Sequence, residues 1–83
     1  DVAPLVLSGV REGAVIKRLP GTTRVMLALQ TTGGEGRRWW FINGEPQTAA
    51  GASATLPLAQ PDRYQLVVMD ESGQVVTANF TLQ

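Results

Sequence analysis

The chain is divided into short segments by turn-forming residues, and this spacing limits the folds that it can adopt. Gly, Pro, Asn and Asp recur at roughly 8–12-residue intervals, as in proteins built from many short strands. Between them lie segments rich in Val, Leu, Ile, Thr and aromatic residues, in which apolar and polar positions alternate. The stretch nearest to a helix, residues 57–65, contains two prolines that interrupt it. The pattern therefore predicts an all-β protein.

The predicted strands have a clear period of two, which places alternate side chains on one buried face. Asn43–Gly44 is the preferred residue pair for a two-residue hairpin turn, because both positions require positive φ. Pro46 cannot donate to a ladder, so the strand that follows this turn is expected to be short or at a sheet edge. The predicted strands are residues 4–8, 14–19, 23–31, 37–42, 45–50, 51–58, 63–70 and 75–83.

Seven to eight short strands predict a small antiparallel, immunoglobulin-like β-sandwich, and a small barrel is the alternative. The order of the strands in the sheets does not follow from the pattern. Tyr64 favours the immunoglobulin-like fold, since it begins a late strand after a Pro-Asp turn. In a tyrosine corner, the hydroxyl at this place bonds to the backbone a few residues upstream. The alternative is that Tyr64 is an ordinary half-buried strand residue.

Length and composition exclude several classes of function. A chain of 83 residues is expected to form one domain, residues 1–83, with a modest core. It has no Cys and no His, so disulfides, Cys/His metal sites and His-based catalysis are excluded. Seven basic and seven acidic residues cancel, which argues against a nucleic-acid partner. No apolar run approaches a membrane span. A start at Asp1 without Met suggests a fragment of a longer protein.

No catalytic motif accompanies these features. Neither a Ser-x-x-Lys nor a Gly-x-Ser-x-Gly sequence occurs, and the Gly-rich segment 33–36 leads into a strand rather than a phosphate-binding helix. Asp70 and Glu71 are adjacent in a hairpin turn, where they are expected to cap the turn rather than act as an acid–base pair. We therefore expect a non-catalytic domain that needs no cofactor and no metal.

Two adjacent tryptophans, Trp39 and Trp40, are the least usual feature of the sequence. Neighbouring side chains in a strand point to opposite faces, so only one of them faces the core. We assign Trp40 to the core together with Ile42, and expect Arg38 at the end of the sheet with its charged group in water. The alternative places Trp39 and Phe41 inward. The predicted core comprises Val25, Leu27, Leu29, Trp40, Ile42, Tyr64, Leu66, Val68, Ala78 and Phe80.

The other face of the same strand has two interpretations. In the first interpretation, Trp39 and Phe41 are covered by neighbouring strand residues and by the side chain of Met26. In the second, exposed aromatic residues flanked by arginine form a binding surface, and aromatic rings on a flat sheet also suit sugar stacking. The candidate interaction surface consists of Arg37, Trp39, Phe41 and Asn43.

The order of several short motifs resembles a known family. A Gly-rich loop, Gly33–Gly36, precedes a Trp-Trp-Phe run and Asn-Gly at Trp39–Gly44. A Pro-x-Arg-Tyr-x-Leu strand follows at Pro61–Leu66, and then a Val-x-Asp-x-x-Gly hairpin at Val68–Gly73. Residues 8–16 resemble the family's Pro-x-x-Gly-x-x-Ile opening, although Gly9 or Val10 replaces the proline. Over nearly its whole length the chain resembles the C-terminal domain of bifunctional penicillin-binding proteins of the 1C type.

This resemblance implies a periplasmic accessory domain of a peptidoglycan glycosyltransferase/transpeptidase that is anchored in the inner membrane. The implied partners are the catalytic domains of the parent enzyme and a bacterial α2-macroglobulin-like protein. Three hypotheses follow, of which docking of a protein partner is preferred. The domain would otherwise act as a structural spacer, or bind peptidoglycan through the same aromatic residues with Asn43, Glu45 and Gln47 as hydrogen-bonding groups.

Overall fold

A computed structural model describes residues 2–22 and 24–83. These residues form eight β-strands and no helix, in agreement with the all-β prediction. In chain order the strands are β1 (Val6–Ser8), β2 (Ala14–Ile16), β3 (Val25–Thr32), β4 (Arg38–Ile42), β5 (Glu45–Pro46), β6 (Ser53–Leu58), β7 (Asp62–Asp70) and β8 (Val75–Leu82). Thr23, which the sequence assigned to the third strand, and Asp1 lie outside the described residues.

The strands form two sheets. The three-stranded sheet has the order β1-β3-β6, and the five-stranded sheet has the order β2-β8-β7-β4-β5. This is the arrangement of an immunoglobulin-like sandwich, in which strands A, B and E face strands C, F and G. Here β1, β3 and β6 take the places of A, B and E, and β4, β7 and β8 those of C, F and G. All pairs are antiparallel except β2, which runs parallel to β8. The amino-terminal segment joins both sheets, because β1 belongs to the three-stranded sheet and β2 to the five-stranded sheet.

The hairpin between β4 and β5 has the predicted turn. Asn43 and Gly44 have φ values of 50° and 83°, the positive values that a type I′ turn requires. The strand after this turn is much shorter than residues 45–50, since Pro46 ends it after two residues. The first two strands are also shorter than the sequence predicts. The turn therefore sets the register of β4 against β5, a short strand at the edge of the sheet, and does not begin a long strand.

The core lies between the sheets and is filled by alternate residues of each long strand. The burial patterns of β3 and β6 alternate between exposed and buried positions, as expected for sheets with one solvated face. The buried cluster comprises Leu27, Leu29, Trp40, Ala54, Leu56, Leu58, Leu66, Val68, Phe80 and Leu82. Of the remaining predicted core residues, Ala78 is buried, whereas Val25, Ile42 and Tyr64 are half-buried against the cluster.

Trp40 is 1% exposed and lies at the centre of this core. Its indole Nε1–H donates to the carbonyl of Gly51 at 3.0 Å. The only polar group of the side chain is therefore satisfied, and the same bond ties the connection between β5 and β6 to the core.

Tyr64 makes the hydrogen bond of a tyrosine corner. Its hydroxyl donates to the carbonyl of Gln60, four residues upstream, at 2.6 Å. Its ring stacks on Phe80, the residue opposite it on β8, with 5.6 Å between ring centroids. Thus Tyr64 joins the sheet to the connection that leads into it.

Replacing Tyr64 by Phe keeps the ring stack and removes only the hydrogen bond. We expect Tyr64→Phe to lower the free energy of unfolding by about 1 kcal/mol, measured by urea denaturation. Gln60→Ala should have little effect, because the acceptor is a backbone carbonyl. Equal stability of Tyr64→Phe and the wild type would contradict the structural role of this bond.

Candidate functional site

The outer face of the five-stranded sheet carries contiguous apolar side chains. Trp39 and Phe41 point outward because they alternate with Trp40, which fills the core. On β7, Val67 and Met69 point outward for the same reason. We define the apolar outer face by six residues, which are Trp39, Phe41, Pro46, Val67, Met69 and Val75.

The strand register aligns these side chains in two rows. Trp39 lies opposite Met69, which in turn lies opposite Val75. The second row consists of Pro46, Phe41 and Val67. Directly opposite side chains in an antiparallel pair are close enough to contact each other. The aromatic residues are therefore half-buried by their neighbours, whereas Val75, at the border, is 54% exposed.

Met26 does not cover this face, contrary to one expectation from the sequence. It lies on β3 in the opposite sheet and points away from the core, with 56% of its surface exposed. The full thickness of the sandwich separates it from Trp39. The outward aromatic residues are thus covered only in part, and by residues of their own sheet.

Arg37 lies at one end of the apolar outer face. Its guanidinium carbon is 5.4 Å from the ring centroid of Trp39, within the range of a cation–π interaction. Its backbone N–H donates to Glu71 Oε2 at 2.9 Å. A positive charge therefore borders the aromatic surface at a position that the backbone holds in place.

Asn43 lies at the opposite end, in the hairpin turn. Its Oδ1 accepts a hydrogen bond from the backbone N–H of Gln65 at 2.8 Å. Its own backbone N–H donates to the carbonyl of Gln65 at 2.9 Å. The main contact of Asn43 is thus structural, and it ties the turn to β7.

Glu45 and Gln47 lie on the other side of the sheet from the outward aromatic residues. Glu45 pairs with Ile42, and the N–H of Gln47 donates to the carbonyl of Trp40 at 2.8 Å. Opposite residues share a face, so both side chains are on the face of Trp40 and Ile42. The sugar-binding group suggested by the sequence is therefore divided between two faces.

Arg38 is buried, and the expectation that its charged group lies in water is wrong. Only 5% of the residue is exposed. Its Nε donates to Thr31 Oγ1 at 3.1 Å, Nη1 to the Gly36 carbonyl at 2.9 Å and Nη2 to the Gly33 carbonyl at 2.5 Å. The Gly-rich loop folds over the start of β4, and its carbonyls replace water around the guanidinium.

Asp70 binds the same loop from β7 and is 2% exposed. It accepts hydrogen bonds from the Ser72 hydroxyl at 2.8 Å, the Gln74 backbone N–H at 2.9 Å and the Glu35 backbone N–H at 2.9 Å. It therefore caps its own turn, as the sequence predicts, and also holds the loop. Burial raises the pKa of Asp70, but these hydrogen bonds outweigh burial and lower the pKa below its ordinary value.

Gly36 shows why this loop needs glycine. Its φ is +68°, and a Cβ at this position would collide with the carboxylate of Glu71. The Glu71 backbone N–H also donates to the carbonyl of Glu35 at 3.1 Å. Loop and hairpin are thus in close contact at the start of β4.

Two further features, a cluster of metal ligands and a membrane-spanning helix, are not found among the described residues. No group of three or more acidic side chains comes together in residues 2–22 and 24–83 as a metal site. Among the same residues, no helix has the length and hydrophobicity to cross a bilayer.

An all-β sandwich with this order of motifs resembles the C-terminal region of a penicillin-binding protein, and comparison with known proteins agrees. Residues 1–80 match the model of the Penicillin-Binding Protein C-terminus Family, to which the chain belongs. It is 55% identical to penicillin-binding protein 1C of Escherichia coli (strain K12) over 80 residues, which is 96% of this chain. The chain spans about 10% of the length of that relative. No solved structure shows significant similarity. The resemblance drawn from the motifs is confirmed.

The lowered pKa of Asp70 predicts how stability depends on pH. Hydrogen bonds to the carboxylate stabilise the fold above the unfolded pKa of about 4, and this contribution is lost as the pH falls from there through the lower folded pKa. Asp70→Asn should therefore flatten the acid limb of a plot of unfolding free energy against pH, measured by urea titration. Ser72→Ala, which removes one donor, should give an intermediate slope. An unchanged slope in Asp70→Asn would refute the assignment.

Proposed function

We propose that the chain is a non-catalytic accessory domain of a bifunctional peptidoglycan synthase and that it docks a protein partner through the apolar outer face. The two rows of apolar side chains support this proposal. Six neighbouring apolar residues on one solvated sheet face, with an arginine beside them, have the composition of an interface centre. Scattered exposed residues would need no such explanation.

The composition of the face favours a protein rather than a sugar chain. Protein interfaces are apolar and rich in aromatic residues at the centre, with polar groups around the rim. Sugar recognition requires hydrogen-bonding groups beside the aromatic rings, and Glu45 and Gln47 lie on the opposite face. The single observation that carries the proposal is the outward position of Trp39 and Phe41 beside Val67 and Met69.

The proposed partners are motivated by family membership. Penicillin-binding protein 1C is a relative, so the parent of this chain is proposed to be a peptidoglycan synthase that is anchored in the inner membrane and works in the periplasm. The proposed partners are its catalytic domains and a bacterial α2-macroglobulin-like protein in the same compartment. The alternatives to docking are binding of peptidoglycan itself and a role as a structural spacer.

Trp39 and Trp40 provide a matched pair of substitutions. Trp39→Ala is expected to lower the free energy of unfolding by about 1 kcal/mol or less, since the side chain is only half-buried. It should weaken binding to the purified partner roughly 30-fold or more, as for an interface hot spot. Trp40→Ala should cost about 3–5 kcal/mol and leave the domain largely unfolded.

Binding is measured by calorimetry with the purified α2-macroglobulin-like protein and with the purified catalytic domains, and by sedimentation with isolated sacculi. Met26→Ala is the control, because it removes an exposed apolar side chain from the opposite sheet. Docking is refuted if Trp39→Ala binds every protein as the wild type does. Sedimentation with sacculi alone indicates a glycan-binding module, and no binding at all indicates a spacer.

A further inference from the structure

The edge strand β6 offers a second surface, distinct from the apolar outer face. Within the described residues, β6 pairs with β3 on one side and with no strand on the other. Its six residues make it the longest of the edge strands, since β1 and β2 have three residues each and β5 has two. A long free edge exposes unpaired backbone groups and is a template for another strand.

The strand register shows which backbone groups β6 exposes. Thr31 donates its N–H to the carbonyl of Ala52 at 2.7 Å, so this pair and every second pair after it bond across the ladder. The residues between them direct their N–H and C=O groups away from β3. These outward residues are Ser53, Thr55 and Pro57. Proline has no N–H, so the edge offers two donors and three acceptors.

The edge lacks the charges with which proteins usually prevent strand pairing. All seven basic and all seven acidic residues lie outside positions 46–61, which contain β6 and the segments on both sides of it. The outward side chains of β6 are a serine, a threonine and a proline. Pro57 is the only protective feature, and it removes one of six backbone groups. Neither charged nor bulky side chains on β6 therefore oppose its pairing with another strand.

We infer that β6 pairs antiparallel with β6 of a second copy of this chain, around a two-fold axis at Thr55. In this register the two Thr55 residues exchange two N–H···O=C bonds, and each Ser53 N–H donates to the Pro57 carbonyl of the other copy. Every outward N–H then has an acceptor, and the missing N–H of Pro57 falls at the end of the ladder. Pro57 thus selects one register instead of preventing pairing.

The paired copies share a continuous six-stranded sheet in the order β1-β3-β6-β6-β3-β1. The side chains of the two Thr55 residues meet across the axis, a favourable cross-strand pair. The apolar outer face belongs to the other sheet of each copy and stays accessible. Dimer formation and partner docking are therefore independent, and either one is testable without the other.

Backbone amide exchange by NMR tests the pairing directly. The small interface implies a weak dimer, so spectra and sedimentation are recorded from about 10 μM to about 1 mM of the 83-residue chain. The Ser53 and Thr55 amides should exchange more slowly as the concentration rises, in parallel with the sedimenting dimer. The Leu7 amide is the control, because the same alternation points it away from β3 on the opposite edge, and its exchange should not change.

Two substitutions at one position separate backbone pairing from side-chain contact. Thr55→Pro removes a donor that β3 does not use and should weaken the dimer about 25-fold, since two hydrogen bonds are lost at roughly fivefold each. Thr55→Val keeps the donor and should dimerise like the wild type. If Thr55→Pro fails to fold, Thr55→Lys places like charges across the axis and should also give monomers. A monomer at every concentration, or a dimer that Thr55→Pro and Thr55→Lys leave unchanged, overturns the inference.

Discussion

Burial of one indole in a strand with two adjacent tryptophans is the constraint on which this structure depends. Trp40 occupies the centre of a small core and bonds to the carbonyl of Gly51 through its N–H. Once that side chain is inside, the period of the strand places Trp39 and Phe41 outside, where the register aligns them with apolar residues of β7. Burial of Trp40 thereby determines both the packing between the sheets and which side chains of β4 lie on the outer face.

The polar contacts around the Gly-rich loop hold that strand in place. Arg38 donates to two loop carbonyls, and Asp70 accepts from the loop backbone and from its own turn. Both side chains are buried, and both use several hydrogen bonds to offset the loss of water. The outward tryptophan thus follows a junction held by several hydrogen bonds, which in the proposed docking would reduce the entropy lost on binding.

Periodicity and turn chemistry account for what the sequence predicted. The long strands, the Asn43–Gly44 turn and the opposite directions of the two tryptophans depend on neighbours within a few residues and follow from the pattern, whereas the choice of Trp40 for the core depended on its neighbour Ile42. The environment of Arg38 was missed because its acceptors belong to a loop that folds back, and Asp70 receives the N–H of Glu35 from 35 residues away. The pairing of β4 with β7, in which Arg38 lies opposite Asp70, brings Asp70 to that loop. The order of strands, and with it the free edge at β6, is equally non-local.

Fluorescence quenching of the two tryptophans taken separately tests the central claim most directly. With Trp39→Phe, the remaining Trp40 should emit at short wavelength and resist quenching by acrylamide, because its indole is 1% exposed. With Trp40→Phe, the remaining Trp39 should emit at longer wavelength and be quenched readily in the folded protein. Equal quenching of the two indoles, or the reverse order, would contradict the account.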